Sequence, residues 1–152
     1  MQIADSRPYP QAMDVTFPDG TRVRACSIWE RNENDPTRDF GLYLDAGWRP
    51  TWPAEVVDWV DFGVPADDAR AASQIEAAFA RAHAGQTVEI GCVGGLGRTG
   101  TVLACMAVLA GVEPSEAVTW VRRNYRPEAV ETSAQERWVA WFASAGAGAA
   151  SG

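Results

Sequence analysis

Cysteine and histidine are scarce in this chain: three cysteines and one histidine in 152 residues. Three cysteines, an odd number without tight spacing, make neither a disulfide framework nor a zinc site. No apolar run approaches the length of a membrane span, and Met1 to Pro10 lacks the apolar core of a signal peptide. A cytoplasmic location, with thiols kept reduced, is the expectation. Internal repeats are absent, and no Gly-Lys-Ser/Thr follows a glycine-rich stretch, which excludes a Walker-type loop. Positive charge is outweighed as well. The net charge of −7 argues against a nucleic-acid or membrane partner, while leaving room for a local positive pocket. Nothing calls for a metal or a cofactor.

What is present points to a folded domain. Hydrophobic residues make up 47% of the chain and there are seven tryptophans, enough for a core. Residues 1–145 are expected to form one domain, with residues 146–152 as a flexible Gly/Ala/Ser tail. The first 20 residues are polar and Pro-rich, with Phe17-Pro18-Asp19-Gly20 as a turn. Strands are predicted over Val23–Trp29, Phe40–Leu44, Glu55–Trp59 and Thr87–Ile90, with a loop over Glu30–Asp39. A helix is predicted over Asp67–Ala84, with Ile75 and Phe79 on one face and Gly85 as its stop. Thr99–Ala110 is apolar on all sides and reads as a buried helix closed by Gly111. Glu113-Pro114 opens a further helix with Val118, Val121 and Tyr125 inward, broken by Arg126-Pro127. Thr132 starts a last helix with a capping-box spacing to Gln135, and Trp138, Trp141 and Phe142 face the core. The pattern is α/β: a central mixed sheet flanked by helices.

The chemistry concentrates in Gly91-Cys92-Val93-Gly94-Gly95-Leu96-Gly97-Arg98-Thr99-Gly100, between a strand and the buried helix. A helix N-terminus ringed by amides and an adjacent arginine favours the thiolate, which is the reactive form. The backbone of Val93, Gly94, Gly95, Leu96 and Gly97 can cradle phosphate oxygens, and glycine permits the torsions and close approach. Arg98 offers a planar fork to two oxygens at once, and Thr99 can hydrogen-bond the cysteine sulfur as it leaves. The competing reading is a glycine-rich turn with a buried structural cysteine, which leaves Arg98 and Thr99 in this register without a purpose.

Cys92 to Gly100 resembles the phosphate loop of the cysteine-dependent protein tyrosine and dual-specificity phosphatases, here as a compact, bacterial-type member. Rhodanese loops, one residue shorter, and low-molecular-weight tyrosine phosphatases, with the loop near the N-terminus, fit less well. A second resemblance is Trp59-Val60-Asp61-Phe62-Gly63-Val64-Pro65, similar to the family's acid loop with valine in place of the usual proline, about thirty residues before the cysteine. The resemblance implies a tyrosine phosphatase-like fold, Cys92 as nucleophile, Arg98 as phosphate ligand and Asp61 as general acid and then base. Arg126 to Gln135 resembles the segment before the family's last helix, where a glutamine orients the hydrolytic water. For Gln135 that role and the helix cap stand side by side.

Gly91 replaces the histidine usual before the cysteine. His83 carries no assigned role, and Cys26 and Cys105 are read as packing residues, as are Trp48, Trp52 and Trp59. The implied activity is phosphomonoester hydrolysis without a metal or cofactor, on a phosphoprotein or a small phosphometabolite. A low-turnover phosphate- or phosphopeptide-binding module is the alternative. Oligomeric state is left open.

Overall fold

A computed structural model describes residues 12–27, 38–47, 50–94 and 96–146. Their elements run β1 Met13–Thr16, β2 Arg22–Ser27, β3 Phe40–Tyr43, β4 Ala54–Val56, α1 Asp68–His83, β5 Val88–Cys92, α2 Gly97–Leu109, α3 Ala117–Asn124 and α4 Ser133–Trp141. The sheet order is β1-β2-β5-β3-β4, with β1 antiparallel to β2 and the remaining pairs parallel. This is the expected α/β architecture with a central mixed sheet. Trp29, Trp48, Gly95, most of the loop over 30–39 and the tail residues 147–152 lie outside the described residues.

The centre of the sheet explains the loop's position. β5 lies between β2 and β3 and every residue in it is buried, as expected of a parallel strand covered on both faces. Its register pairs Cys92 with Ser27 and Gly91 with Tyr43, so the chain leaves the sheet at its middle. α2 takes over at Gly97, and Val102 to Ala107 have no exposed surface, which is why their apolar pattern shows no helical stripe. α2 packs against α1, α3 and α4.

Local signals placed the helix ends well. Asp67 caps α1 by accepting the Arg70 amide at 3.1 Å, and Gly85 and Gly111 follow their helices at φ of +102° and +104°. Thr132 and Gln135 form the expected capping box of α4.

Several boundaries differ from the sequence reading. Met13–Thr16 is a strand, concealed in a polar stretch because it is the sheet edge and buries only Val15 fully. The strand expected over Glu55–Trp59 is Ala54–Val56, after which Trp59 makes only an isolated bridge to Pro65. β5 continues through Cys92 instead of stopping at Ile90, since Gly91 and Cys92 still have β2 as a partner. α2 begins at Gly97 instead of Thr99. Pro114 opens a 3-10 turn, Pro114–Glu116, ahead of α3. Among the described residues no helix is long and apolar enough to cross a membrane.

Candidate active site

Cys92 ends β5, is buried, and receives a hydrogen bond from Thr99 Oγ1 at 3.0 Å. Ser27, its partner on β2, donates its hydroxyl to the Val93 carbonyl. α2 starts after Leu96 with no side-chain cap, so its first amides are not satisfied from within the helix. Unsatisfied amides at a helix N-terminus are an anion site.

Arg98 is the hub. Its Nη1 donates to the carbonyls of Leu44 at 2.6 Å and Trp59 at 2.8 Å, and Nη2 lies 3.7 Å from Asp61 Oδ1. The side chain is 5% exposed, and its Nε has no hydrogen-bond partner among the described residues. A buried guanidinium donor left open in this way is costly unless an acceptor comes to it.

The loop carrying Asp61 is built tightly. Gly63 donates its amide to the Val60 carbonyl at 2.9 Å, and the Gly63 carbonyl accepts from Trp59 Nε1 at 2.7 Å and Gln135 Nε2 at 3.1 Å. Trp59 is buried and packs against Trp138 of α4 with ring centroids 5.4 Å apart. Phe62 adopts φ of +62°, and its amide donates to Asp61 Oδ1 at 3.0 Å. Asp61 itself is 58% exposed, and Val60 and Phe62 flank it in solvent.

Gln135 has no exposed surface, and its Oε1 accepts the amides of Glu131 at 2.8 Å and Thr132 at 3.2 Å. The cap is therefore formed, and the same side chain also holds the loop carrying Asp61 through Gly63.

Glu131 was not singled out by the sequence, although it lies in the quoted segment before α4. Its Oε1 would stand 2.1 Å from a β-carbon on Gly97, and its carboxylate takes the Gly97 amide. Burial and the Asp61 charge push the Glu131 carboxyl above its ordinary value, against the pull of the Gly97 amide and Arg98. The only sequence signal was an acidic residue just before a capping box, which many helices share.

The glycines separate by what they touch. A β-carbon on Gly100 would come within 2.7 Å of Ala129 Cβ and 2.9 Å of the Val130 nitrogen, which is backbone and cannot swing away. Gly100→Ala is expected to lower stability by about 1–3 kcal/mol, as overpacking of a closed contact does. A thermal melt unchanged by this substitution would contradict that contact. A β-carbon on Gly94 would meet no protein atom within 4 Å, so the protein's own packing does not require glycine there. Gly91 is explained by its neighbours: its β-carbon would lie 3.1 Å from Cys26 Sγ and 3.4 Å from Tyr43 Cδ1. Any larger residue there would require those neighbours to shift by a few tenths of an ångström.

Tyr43 hydrogen-bonds the buried Glu89 and receives Trp52 Nε1 at 2.9 Å; burial, then the Glu89 charge, push its hydroxyl up. Burial pushes the Cys105 thiol well up, as suits a packing residue. His83 lies at the opposite end of the sheet, with Nδ1 2.9 Å from Thr21 Oγ1 and 3.5 Å from Asp19 Oδ2, beside a cavity of about 430 Å³. That cavity does not reach Cys92. Among the described residues no group of three or more His, Cys, Asp or Glu side chains is placed to hold a metal ion.

An α/β domain with a cysteine–arginine loop at the end of its central strand defines the class of cysteine-dependent protein tyrosine and dual-specificity phosphatases. Residues 60–139 match the family described as PTP-SAK, the Swiss Army Knife protein DSP-PTPase phosphatase domain, and the chain belongs to it. An uncharacterised protein of Methanocaldococcus jannaschii is 36% identical over 110 residues, covering 64% of this chain and 71% of the relative. A second one from that organism is 33% identical over 110 residues, covering 64% of this chain and 66% of the relative. Among solved structures, Tk-PTP in its active form superposes with a TM-score of 0.70 at 25% identity, covering 90% of this chain and 99% of that one. Kinase associated phosphatase, with its catalytic cysteine replaced by serine, gives 0.72 at 17% identity, covering 91% and 96%, a likeness of fold alone.

Proposed function

We propose that the protein is a phosphomonoester hydrolase working through a cysteinyl-phosphate intermediate. The observation that carries this reading is the approach of Asp61 Oδ1 to Arg98 Nη2 at 3.7 Å, on a guanidinium whose Nε is buried and open. Residues far apart in the chain supply a phosphate ligand and a proton donor at the mouth of the loop that begins at Cys92.

In this mechanism the Cys92 thiolate attacks phosphorus and the ester oxygen departs with a proton from Asp61. Arg98 and the amides of Val93 to Gly97 hold the non-bridging oxygens throughout. Water then attacks the phosphocysteine, Asp61 takes its proton, and Thr99 assists the departing sulfur. Gln135 is a positioning residue, acting through the Gly63 carbonyl and the turn at Glu131. The exposed Val60 and Phe62 beside Asp61 favour esters of apolar or aromatic alcohols over sugar phosphates.

Purified protein is expected to hydrolyse 4-nitrophenyl phosphate, resistant to chelators and inhibited by vanadate, with a bell-shaped pH profile. The bell arises because Cys92 must be ionised while Asp61 is protonated. Asp61→Asn is expected to flatten the alkaline limb and lower kcat/KM by roughly 10²–10⁴-fold, most for esters with poor leaving groups. A variant profile that keeps the wild-type shape removes Asp61 from the acid role. Phosphate binding with no turnover over hours would instead favour a binding module, the reading that Gly91 in the histidine position motivates.

A further inference from the structure

Val130 is a buried, β-branched residue at φ of +63°, a left-handed conformation that such side chains rarely adopt. Strain of that kind persists only where the surroundings impose it, and here they do. Arg122 of α3 clamps the turn from behind, with Nε on the Ala129 carbonyl at 2.9 Å and Nη2 on the Val130 carbonyl at 2.7 Å. Gln135 of α4 takes the next two amides, and Gly100 of α2 leaves the turn just enough room. The product of this enforced turn is the position of one side chain: the Glu131 carboxylate, set over Gly97 at the start of α2, where Leu96 supplies no side-chain cap.

We propose that Glu131 is a proton-linked oxyanion-binding residue of this site, ionised while it holds the Gly97 amide and protonated when an oxyanion sits in the loop. The inference rests on the reading of Cys92 to Arg98 as a phosphate cradle. The charged groups facing Glu131 are Asp61 of the acid loop and Arg98, with the positive end of α2. Arg122 stands behind the turn on carbonyls and pairs with Glu136 at 4.0 Å. An entering dianion therefore meets two carboxylates around a single buried guanidinium. Proton uptake by Glu131 removes one of those charges and converts an acceptor into a donor toward the oxyanion. It also frees the Gly97 amide for the same ligand. The sign follows: binding raises the proton affinity of Glu131. The oxyanion is thus held most tightly at pH below the free-state pKa of that carboxyl, and affinity falls as pH rises through it.

Inorganic sulfate is the probe, because it stays a dianion from pH 5 to 8 and adds no titration of its own. Three proteins are compared by calorimetry in buffers of differing ionisation heat: Cys92→Ser, Cys92→Ser with Glu131→Gln, and Cys92→Ser with Asp61→Asn. The serine removes the thiol titration, and His83 is paired with Thr21 and Asp19 at the far end of the sheet. In Cys92→Ser, sulfate affinity is expected to weaken with pH, approaching about tenfold per unit where Glu131 titrates, with close to one proton taken up. Glu131→Gln is expected to abolish both the slope and the proton uptake and to bind about tenfold more tightly than Cys92→Ser at pH 8. Asp61→Asn is expected to keep the slope. Binding to the Glu131→Gln protein with an unchanged slope overturns the role of Glu131, as does loss of the slope in Asp61→Asn alone. Absence of sulfate binding by all three proteins overturns the phosphate-site reading itself, and this inference with it.

Discussion

Cys92→Ser is expected to leave a folded protein whose hydrolysis of 4-nitrophenyl phosphate falls by at least about 10³-fold, the scale seen when a nucleophile is removed. The size of the loss follows from the surroundings. A thiol at a helix N-terminus can ionise without a base, whereas a serine hydroxyl needs one. The sole histidine is at the other end of the sheet, and Thr99 faces the sulfur as a donor. Packing should hardly notice the change, since the serine oxygen is no larger than the sulfur and keeps Thr99 as a hydrogen-bond partner. Sulfate binding should persist, because Arg98 and the loop amides are untouched. Turnover and thermal unfolding of the same preparation check both halves. Activity within tenfold of wild type would place the nucleophile elsewhere.

Arg98 carries the second large effect, and it is expected in two measurements together. Arg98→Ala leaves the buried carbonyls of Leu44 and Trp59 without their donor. At about 1–3 kcal/mol for each unsatisfied group, stability should fall by roughly 3 kcal/mol, read as a drop in Tm on the order of 10 °C. Arg98→Lys is the sharper chemical test. A single ammonium cannot brace two carbonyls and also present a fork to phosphate. Its kcat/KM is expected to fall by roughly 10²–10³-fold, as for the loss of a preorganised oxyanion donor, with a smaller loss of stability than in the alanine variant. Since the Trp59 carbonyl belongs to the loop carrying Asp61, the proposed acid, both variants should also increase the disadvantage of poor leaving groups. Wild-type activity in Arg98→Lys would show that the fork is not used.

The candidate site was legible in the sequence to different depths. Cys92, Arg98 and Thr99 lie within eight consecutive residues, so the loop they form is a local matter, and strand–loop–helix geometry brings Thr99 Oγ1 to the sulfur. Asp61 could be named from the residue types around it, but its distance to Arg98 is set by the Trp59 carbonyl and by α4, elements remote in the chain. Gln135 illustrates an ambiguity that only packing resolves: capping-box spacing identified one set of partners, while the bond to Gly63 spans 72 positions. Gly91 looked like a deficiency because its histidine is missing. In the folded protein it is the residue that lets Cys26 and Tyr43 close against β5.

Residue order alone specified whatever depends on neighbours in the chain: caps at Asp67 and Thr132, stops at Gly85 and Gly111, the apolar run of α2 beyond Thr101, and a cysteine–arginine loop leading into that helix. Those features follow from backbone torsions and hydrogen bonds over a few residues, which residue type alone can specify. Tertiary structure decided the rest: β1 as the sheet edge, the carbonyls that hold Arg98, and the strained turn that lays Glu131 over Gly97. Each of these requires segments distant in sequence to pack together. A conformation such as Val130 in the left-handed region, unfavourable by itself, exists only because Arg122, Gln135 and Gly100 close around it.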